Sequence, residues 1–214
     1  MNKLNKKSDK TSQILLVVPR YSITTKKSYD YFFPIGLSYI SAALKKEDYS
    51  LDCLNLNHHN GTIKDILTKK LDSKKYDFVC TGNMAIGYFI TELIIKIAKQ
   101  HKSKPKVILG GLILTSEPIL VAKDLNIDYG VIDEGDETII ELMDCLENNK
   151  NISKVKGIVY YDKNRNPVFT EKREPPLNLD ALPFPDIESL GFEEWLHHKY
   201  PNSVYMNSVF DNPR

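Results

Sequence analysis

The residues best suited to bind a ligand directly follow β-rich runs. Thr81-Gly82-Asn83 offers a hydroxyl group, a residue without Cβ and a carboxamide, which suit close contact with a polar planar group or a phosphate. Gly110-Gly111 lets the backbone pass a neighbour closely or turn sharply before a helix. Glu134-Gly135-Asp136-Glu137 places carboxylates where they complement the positive end of a helix dipole. The three segments indicate a binding site or, alternatively, plain turns and a helix start.

No residue pattern indicates catalysis or a resident metal ion. The sequence lacks both GxGxxG after its first β-rich run and GxxxxGK[ST], so the dinucleotide fingerprint and the P-loop are absent. A receiver domain needs an aspartate at the end of its third strand, where Cys80 and Thr81 stand. His58 and His59 are adjacent and point in different directions, which makes a shared metal ion awkward. We therefore predict no catalytic and no metal-ligating residue in this chain.

The elements that position these segments follow a repeating pattern. Short β-rich runs alternate with stretches of helical period over residues 13–149, which is typical of βαβ units. The predicted strands span residues 14–18, 51–56, 77–81, 106–109 and 129–132. Predicted helices lie between and after them, the second opening after Thr62 and the fourth with Ser116 as N-cap and Pro118 in its first turn. Right-handed crossovers give a doubly wound α/β fold with a five-stranded parallel sheet, whose strand carboxyl ends bind the ligand.

The flanking segments differ in character. Residues 1–12 are basic and poor in apolar side chains, which predicts a disordered tail. Residues 150–174 indicate a β-hairpin appendage with a polar turn at residues 162–166. Residues 175–214 are rich in proline and predict an extended segment. We expect its aromatic residues to pack against an absent domain, namely Trp195, Tyr200, Tyr205 and Phe210.

Composition limits the partners and the location. The 29 lysines and arginines balance the 28 aspartates and glutamates, so no long-range field favours nucleic acid or an anionic membrane. The aliphatic run at residues 14–18 is too short for a signal peptide or a membrane span, and we expect a cytoplasmic protein. Cys53, Cys80 and Cys145 lack CxxC spacing, and we expect buried free thiols.

Together with a first strand that ends in proline and with Pro34-Ile35-Gly36-Leu37 at the first helix, the three segments resemble a known family. The chain is similar, over about residues 14–185, to the amino-terminal cobalamin-binding domain of radical S-adenosylmethionine (SAM) enzymes. The resemblance implies a Rossmann-like (flavodoxin-like) sheet that holds a corrin over the strand ends. It implies that the detached lower-ligand tail of the cofactor is buried beside the sheet. Leu182-Pro183-Phe184-Pro185 typically leads into the barrel of those enzymes.

The resemblance also implies roles for particular residues. Thr81 stands where the family often places a serine near the nucleotide tail, and Gly110-Gly111 matches the glycine pair that lets the tail pass. Glu134 and Gly135 match the last loop at the rim. The full set of implied cofactor-binding residues is Tyr21, Thr81, Gly82, Asn83, Met84, Gly110, Gly111, Glu134 and Gly135.

Two departures from family motifs shape the functional prediction. Histidine-ligated cobalamin proteins carry DxHxxG after the first strand, where this chain reads PRYSITTK, which implies base-off cobalamin without a protein histidine ligand. The motif CxxxCxxC is absent, so SAM and the [4Fe-4S] cluster belong to a radical SAM domain missing from this chain. We expect that domain in cis as the carboxyl-terminal partner, and no catalysis by this chain alone.

The predicted function is therefore a cobalamin-binding module of a radical SAM methyltransferase or related enzyme. Two other functions remain open at this point. One is a degenerate interaction or scaffold domain that binds no cobalamin. The other is a small-molecule or nucleotide sensor that takes a phosphate-bearing ligand at residues 81–83.

Overall fold

The computed structural model describes residues 10–22 and 24–199. Within these ranges the strands are β1 (Gln13–Val18), β2 (Ser50–Asn55), β3 (Phe78–Gly82), β4 (Lys106–Gly110), β5 (Tyr129–Val131), β6 (Ile158–Tyr161) and β7 (Pro167–Phe169). The helices are α1 (Ile35–Lys46), α2 (Ile63–Ser73), α3 (Tyr88–Gln100), α4 (Leu112–Ser116), α5 (Pro118–Leu125), α6 (Asp136–Glu147) and α7 (Phe192–Lys199).

The strands form one sheet in the order β2-β1-β3-β4-β5-β6-β7. The first five run parallel, and β6 and β7 are antiparallel additions beside β5. The predicted doubly wound α/β fold is confirmed, but the sheet has seven strands where the sequence predicted five. The difference arises because the hairpin pairs with β5, Ile158 lying opposite Val131, and so continues the sheet.

The two faces of the sheet have separate cores. In β1, Leu15 and Val17 face the helices α2, α3, α4 and α5, whereas Ile14, Leu16 and Val18 face α1 and α6. All five side chains are fully buried. This alternation is the period of two that a strand buried on both sides requires. The side covered by α1 and α6, called the α1/α6 face below, also holds the ligand cleft.

The helix starts agree only in part with the predictions. Thr62 caps α2, its hydroxyl accepting a hydrogen bond from the Asp65 N–H at 3.1 Å. Pro118 stands in the first turn of α5, as predicted. Ser116 is not the N-cap of that helix, because the unpredicted short helix α4 ends at Ser116 and Glu117 takes the cap position.

The carboxyl-terminal segment packs against the domain. The Asp186 N–H donates to the Ser38 carbonyl at 3.0 Å, and the Asn55 amide donates to the Leu190 carbonyl at 2.8 Å. The Trp195 indole donates to the Tyr31 carbonyl at 3.1 Å. Trp195 therefore has partners within this chain, and because it is only half-buried, its packing on an absent domain stays a prediction. Tyr200, Tyr205 and Phe210 lie outside the described residues.

The predicted amino-terminal tail is described only from residue 10. The backbone N–H groups of Thr11 and Ser12 both donate to the Glu147 carboxylate, at 2.6 and 2.9 Å, which ties these residues to the end of α6. Residues 1–9 lie outside the described part. Every helix within the described ranges is too short or too polar to span a bilayer. Of the three free cysteines, Cys80 and Cys145 are buried and Cys53 is half-buried.

Candidate functional site

A cleft opens at the carboxyl ends of the parallel strands, where the strand order reverses. Because β2 lies outside β1 and β3 lies on its other side, the loops after β1 and β3 leave in opposite directions. The cleft has a volume of about 580 Å³. It is lined by all nine residues predicted from the sequence, namely Tyr21, Thr81, Gly82, Asn83, Met84, Gly110, Gly111, Glu134 and Gly135.

The lower part of the cleft, called the channel below, is apolar and lies between the sheet and two helices. Its floor residues lie on the α1/α6 face and are Leu16, Cys80, Ile108 and Val131 from the strands, Leu37 and Ile40 from α1, and Ile139 from α6. Burial raises the pKa of the Cys80 thiol to about 12, so this side chain stays neutral and unreactive. The channel therefore suits an apolar or aromatic group.

Three glycines keep the mouth of the channel open. Gly82 and Gly110 are register partners at the ends of β3 and β4. A Cβ atom on Gly82 would lie 3.2 Å from the Gly110 oxygen and 3.3 Å from Leu37 Cδ2, which is tighter than ordinary packing. A Cβ atom on Gly36, in α1, would meet nothing within 4 Å and would stand in open space. Side chains at these positions would narrow the entrance.

Two predicted residues support the loop after β3 with their side-chain or backbone atoms. The Asn83 side-chain oxygen accepts from the Met84 N–H at 2.8 Å, and its amide donates to Gly87 and Thr91 at 3.3 Å each. A Cβ atom on Gly111, whose φ is +81°, would lie 2.9 Å from the backbone oxygen of Asn83. The Asn83 carboxamide is thus committed to the loop, and Gly111 is needed for close backbone contact.

The Thr81 hydroxyl also has an internal partner. It donates to the Val17 carbonyl of the neighbouring strand at 2.9 Å, and the side chain is buried. The preceding residue, Cys80, lies on the α1/α6 face. Because successive side chains of a strand point to opposite faces, the Thr81 side chain points away from the channel. The resemblance implies that Thr81 lies near the nucleotide tail of the cofactor. In the structure, the Thr81 hydroxyl uses its hydrogen to bond the neighbouring strand.

The rim after β5 is acidic. Asp133, Glu134 and Asp136 line this side of the cleft, and the described lining residues include no lysine, arginine or histidine. Asp136 Oδ1 is buried and has no hydrogen-bond partner. Burial raises the pKa of Asp136 above its usual value, and the neighbouring Glu134 and Glu137 add to the shift. An unpaired acceptor at this position is suited to a ligand that donates N–H groups.

A pH series with Asp136→Asn tests this electrostatic description. Because the folded-state pKa of Asp136 is raised, the carboxyl favours folding at low pH, and this contribution is lost as pH rises through its folded pKa. We expect the unfolding free energy of the wild type, relative to the variant, to fall as the pH rises from about 4, by less than about 1 kcal/mol because solvent screens a half-buried group. Thermal unfolding of both proteins across this range measures the difference. Glu193→Gln, at a glutamate whose side chain is 90% exposed, is the control. A difference that grows with pH contradicts the description.

The opposite wall of the cleft comes from the loop after β1. The Tyr21 ring stacks parallel to the Tyr31 ring, with 6.0 Å between centroids, and the Tyr21 N–H donates to Asn57 Oδ1 at 3.0 Å. Arg20 is buried and donates to four backbone carbonyls, those of Thr24, Leu56, His59 and Gly61. This guanidinium joins the loops after β1 and β2 into one rigid support.

Comparison with known proteins identifies this type of domain. Residues 21–143 match the family model described as B12 binding domain. The chain belongs to the B12 binding domain family. The membership predicted from the sequence is therefore confirmed. The matched segment of the B12 binding domain begins after β1 and ends within α6. Beyond it, β6 and β7 continue the same sheet, and Leu190 in the turn before α7 bonds Asn55 of β2.

A curated relative of this B12 binding domain is the uncharacterized methyltransferase PH0819 of Pyrococcus horikoshii. It is 28% identical over 207 residues, which cover 93% of this chain and 43% of the relative. The chain thus spans less than half the length of this relative.

Solved structures with the same fold include two radical enzymes. The radical SAM methyltransferase TsrM from Kitasatospora setae has 18% identity and a TM-score of 0.64, covering 77% of this chain and 31% of that one. The cobalamin-dependent SAM radical enzyme OxsB, solved with aqua-cobalamin and SAM bound, has 17% identity and a TM-score of 0.66. That match covers 86% of this chain and 25% of OxsB. These likenesses establish the fold of the B12 binding domain.

Sequence reasoning missed several residues of the cleft. Gly36 lies within the quoted Pro34–Leu37 segment, and its helical spacing from Ile40 could have placed it on the side facing the sheet. Asp136 was noted only as a complement to the helix dipole. For Arg20 the sequence holds no usable signal, because its four partners are backbone carbonyls brought together by the fold of the B12 binding domain.

Proposed function

We propose that this chain is the cobalamin-binding module of a cobalamin-dependent radical SAM enzyme, a methyltransferase or a related enzyme. The corrin lies over the strand ends, and the detached nucleotide tail enters the channel between the sheet and α1 and α6. One observation carries this proposal. In a B12 binding domain, the lower part of the strand-end cleft is apolar, and Gly36, Gly82 and Gly110 line its mouth without side chains.

The residues of the cleft fit cobalamin in shape and in chemistry. The apolar channel suits the aromatic base at the end of the tail, and the glycines let the tail pass the backbone closely. The unpaired Asp136 Oδ1 can accept an N–H from a corrin amide side chain. The described lining residues offer no cation, which disfavours a sensor whose ligand is held mainly by its phosphates.

The base-off state without a protein histidine ligand is part of the proposal. No histidine is among the described residues that line the cleft. His58, from the loop after β2, has both ring nitrogens engaged, Nε2 with the Tyr31 hydroxyl at 2.7 Å and Nδ1 with the Glu194 carboxylate at 3.3 Å. The loop after β1 has no histidine at all. Nothing in this arrangement offers an imidazole to cobalt.

The chain itself acts by binding and shielding. When bound, cobalamin supplies the cobalt-centred chemistry of methyl transfer. The aromatic side chains of Tyr21, Phe32 and Phe33 line the cleft and limit the access of water. We place SAM and the [4Fe-4S] cluster in a further radical SAM domain, carboxyl-terminal and in cis, since the chain spans 43% of its curated relative.

An apolar surface beside the cleft supports a partner domain at this position. Ile86, Phe89, Leu112 and Leu120 expose most of their side-chain surface, and α4 contacts both the turn that holds Ile86 and α5. Exposed apolar groups that are grouped in this way are typical of a contact surface. The alternative of a scaffold domain that binds no cobalamin predicts a cleft filled by side chains, whereas this cleft is open.

Titration with hydroxocobalamin tests the proposal. The purified protein should retain the cofactor through gel filtration and shift its visible spectrum to the base-off form. Cobinamide, which lacks the nucleotide tail, should bind at least about tenfold more weakly, because it gains nothing from the channel. After reduction to cobalt(II), the electron paramagnetic resonance spectrum should show no nitrogen coupling from an axial ligand. Absence of binding at about 50 μM cofactor would overturn the proposal.

A further inference from the structure

We infer that the carboxyl-terminal turn and helix, residues 188–198, position the wall of the cofactor cleft. These residues, called the clasp, lie beyond the matched family segment, which ends at residue 143. The wall loop comprises residues 27–33. Its last two residues, Phe32 and Phe33, line the cleft together with the following Pro34. The effect on cobalamin rests on the proposed function. The positioning of the wall loop by the clasp does not depend on the proposed function, because it is argued from contacts between residues of this chain.

Trp195 is the main apolar contact of the clasp. Its indole N–H donates to the Tyr31 carbonyl at 3.1 Å, and its ring lies 5.6 Å from the Phe33 ring and 6.2 Å from the Tyr31 ring. Phe192, one turn earlier, meets Phe33 edge to face at 5.0 Å. Phe33 itself lines the cleft, so one face of this side chain meets the clasp and another meets the ligand space.

A chain of polar groups forms the second link. The Asn55 amide donates to the Tyr31 hydroxyl at 2.9 Å, and the hydroxyl donates to His58 Nε2 at 2.7 Å. His58 Nδ1 lies 3.3 Å from the Glu194 carboxylate. Burial lowers the pKa of His58, which favours the neutral ring that this assignment requires. Tyr29 also donates to the Glu194 carboxylate. Glu194 therefore holds Tyr29 directly and lies beside the imidazole that accepts the Tyr31 hydroxyl hydrogen.

The backbone of the clasp is shaped to fit His58. Gly191 has a φ of +77°, and a Cβ atom there would lie 2.7 Å from two atoms of the His58 ring. The Leu190 carbonyl accepts from the Asn55 amide at 2.8 Å. Only glycine permits this approach, so the turn before α7 is built around the same imidazole that holds Tyr31.

Tyr31 connects the wall loop to the cleft. The Tyr31 ring is buried and stacks on Tyr21, whose own ring lines the cleft. If the clasp releases Tyr31 and Phe33, the wall adopts conformations that do not fit the ligand. Apparent affinity falls in proportion to the fraction of molecules that keep the binding-competent wall.

Substitutions in the clasp of the full chain test the inference. Trp195→Ala should weaken cobalamin binding about tenfold, and Trp195→Phe, which keeps the ring contacts, should recover most of the loss. Glu194→Ala should also weaken binding. Glu193→Ala, at the adjacent glutamate whose side chain is 90% exposed, should bind like the wild type and is the matched control. Affinity is measured by visible titration, and retained secondary structure by circular dichroism.

Hydrogen exchange without any cofactor separates this inference from the proposed function. Trp195→Ala and Glu194→Ala should raise exchange at residues 27–33 while the amides of β1, β3 and β4 stay protected. Binding of cobalamin by the wild type and by Trp195→Ala with equal affinity would overturn the inference. If the wild type binds no cobalamin, the proposed function fails, and unchanged exchange at residues 27–33 would then overturn the clasp as well. Should Trp195→Ala fail to fold, the Glu194→Ala and Glu193→Ala pair decides the question.

Discussion

Replacing Gly110 with leucine is expected to weaken cobalamin binding by about 10- to 100-fold, which corresponds to about 1 to 3 kcal/mol of overpacking. A Cβ atom at this position would lie 3.7 Å from the Val131 oxygen, an ordinary contact distance, so the backbone accepts a side chain. The leucine then extends on the α1/α6 face into the mouth of the channel. Titration with hydroxocobalamin gives the affinity, and thermal unfolding shows that the variant stays folded.

The size and the place of the added side chain supply the controls. Gly110→Ala adds one methyl group and should cost little affinity. Lys106→Leu adds a leucine on the same face of the same strand, at the end far from the cleft, and should bind cobalamin like the wild type. Full affinity in Gly110→Leu would show that the tail does not pass this residue.

The largest loss of stability is expected for Arg20→Met, with the unfolding free energy falling by about 3 kcal/mol or more. Methionine fills much of the volume but has no donor, which leaves the carbonyls of Thr24, Leu56, His59 and Gly61 without their buried partner. Because the same loops carry Tyr21, cobalamin affinity should fall too. Chemical denaturation measures the first effect and visible titration the second.

A surface arginine provides the comparison for Arg20. Arg165 is exposed, lies in the hairpin turn and bonds the Asn126 side chain, so Arg165→Met should change stability by less than about 0.5 kcal/mol. Arg20→Lys should lie between the two, since one ammonium group cannot reach four carbonyls arranged around a planar guanidinium. A loss below about 0.5 kcal/mol in Arg20→Met would contradict the bracing role of this residue.

The place of the cleft could be predicted from the sequence because it depends on connectivity. Alternating β-rich and helical segments require parallel strands, and parallel strands bring their carboxyl ends to one edge. Residues as far apart as Tyr21 and Glu134 were therefore placed in one site, and both line the cleft.

The direction of individual side chains could not be predicted in the same way. Thr81 and Asn83 have the chemistry of ligand-binding residues, but their hydroxyl and amide groups bond Val17, Gly87 and Thr91. Whether a polar side chain serves the ligand or the backbone depends on angstrom-scale geometry that residue types do not encode. The partners of Trp195 were missed for a related reason, because no local pattern links it to Tyr31.

The contacts of the clasp also bear on when the cleft is completed during synthesis. The bond from Asn55 to Leu190 closes a sequence separation of 135 residues, and the bond from Trp195 to Tyr31 closes one of 164. Contacts between such distant residues form late, since the intervening chain must first be made and ordered. On the ribosome, the parallel sheet can assemble while Trp195 is still untranslated, but the wall beside Phe33 gains its support only after residue 195 emerges. Completion of the cleft wall therefore follows the synthesis of residue 195.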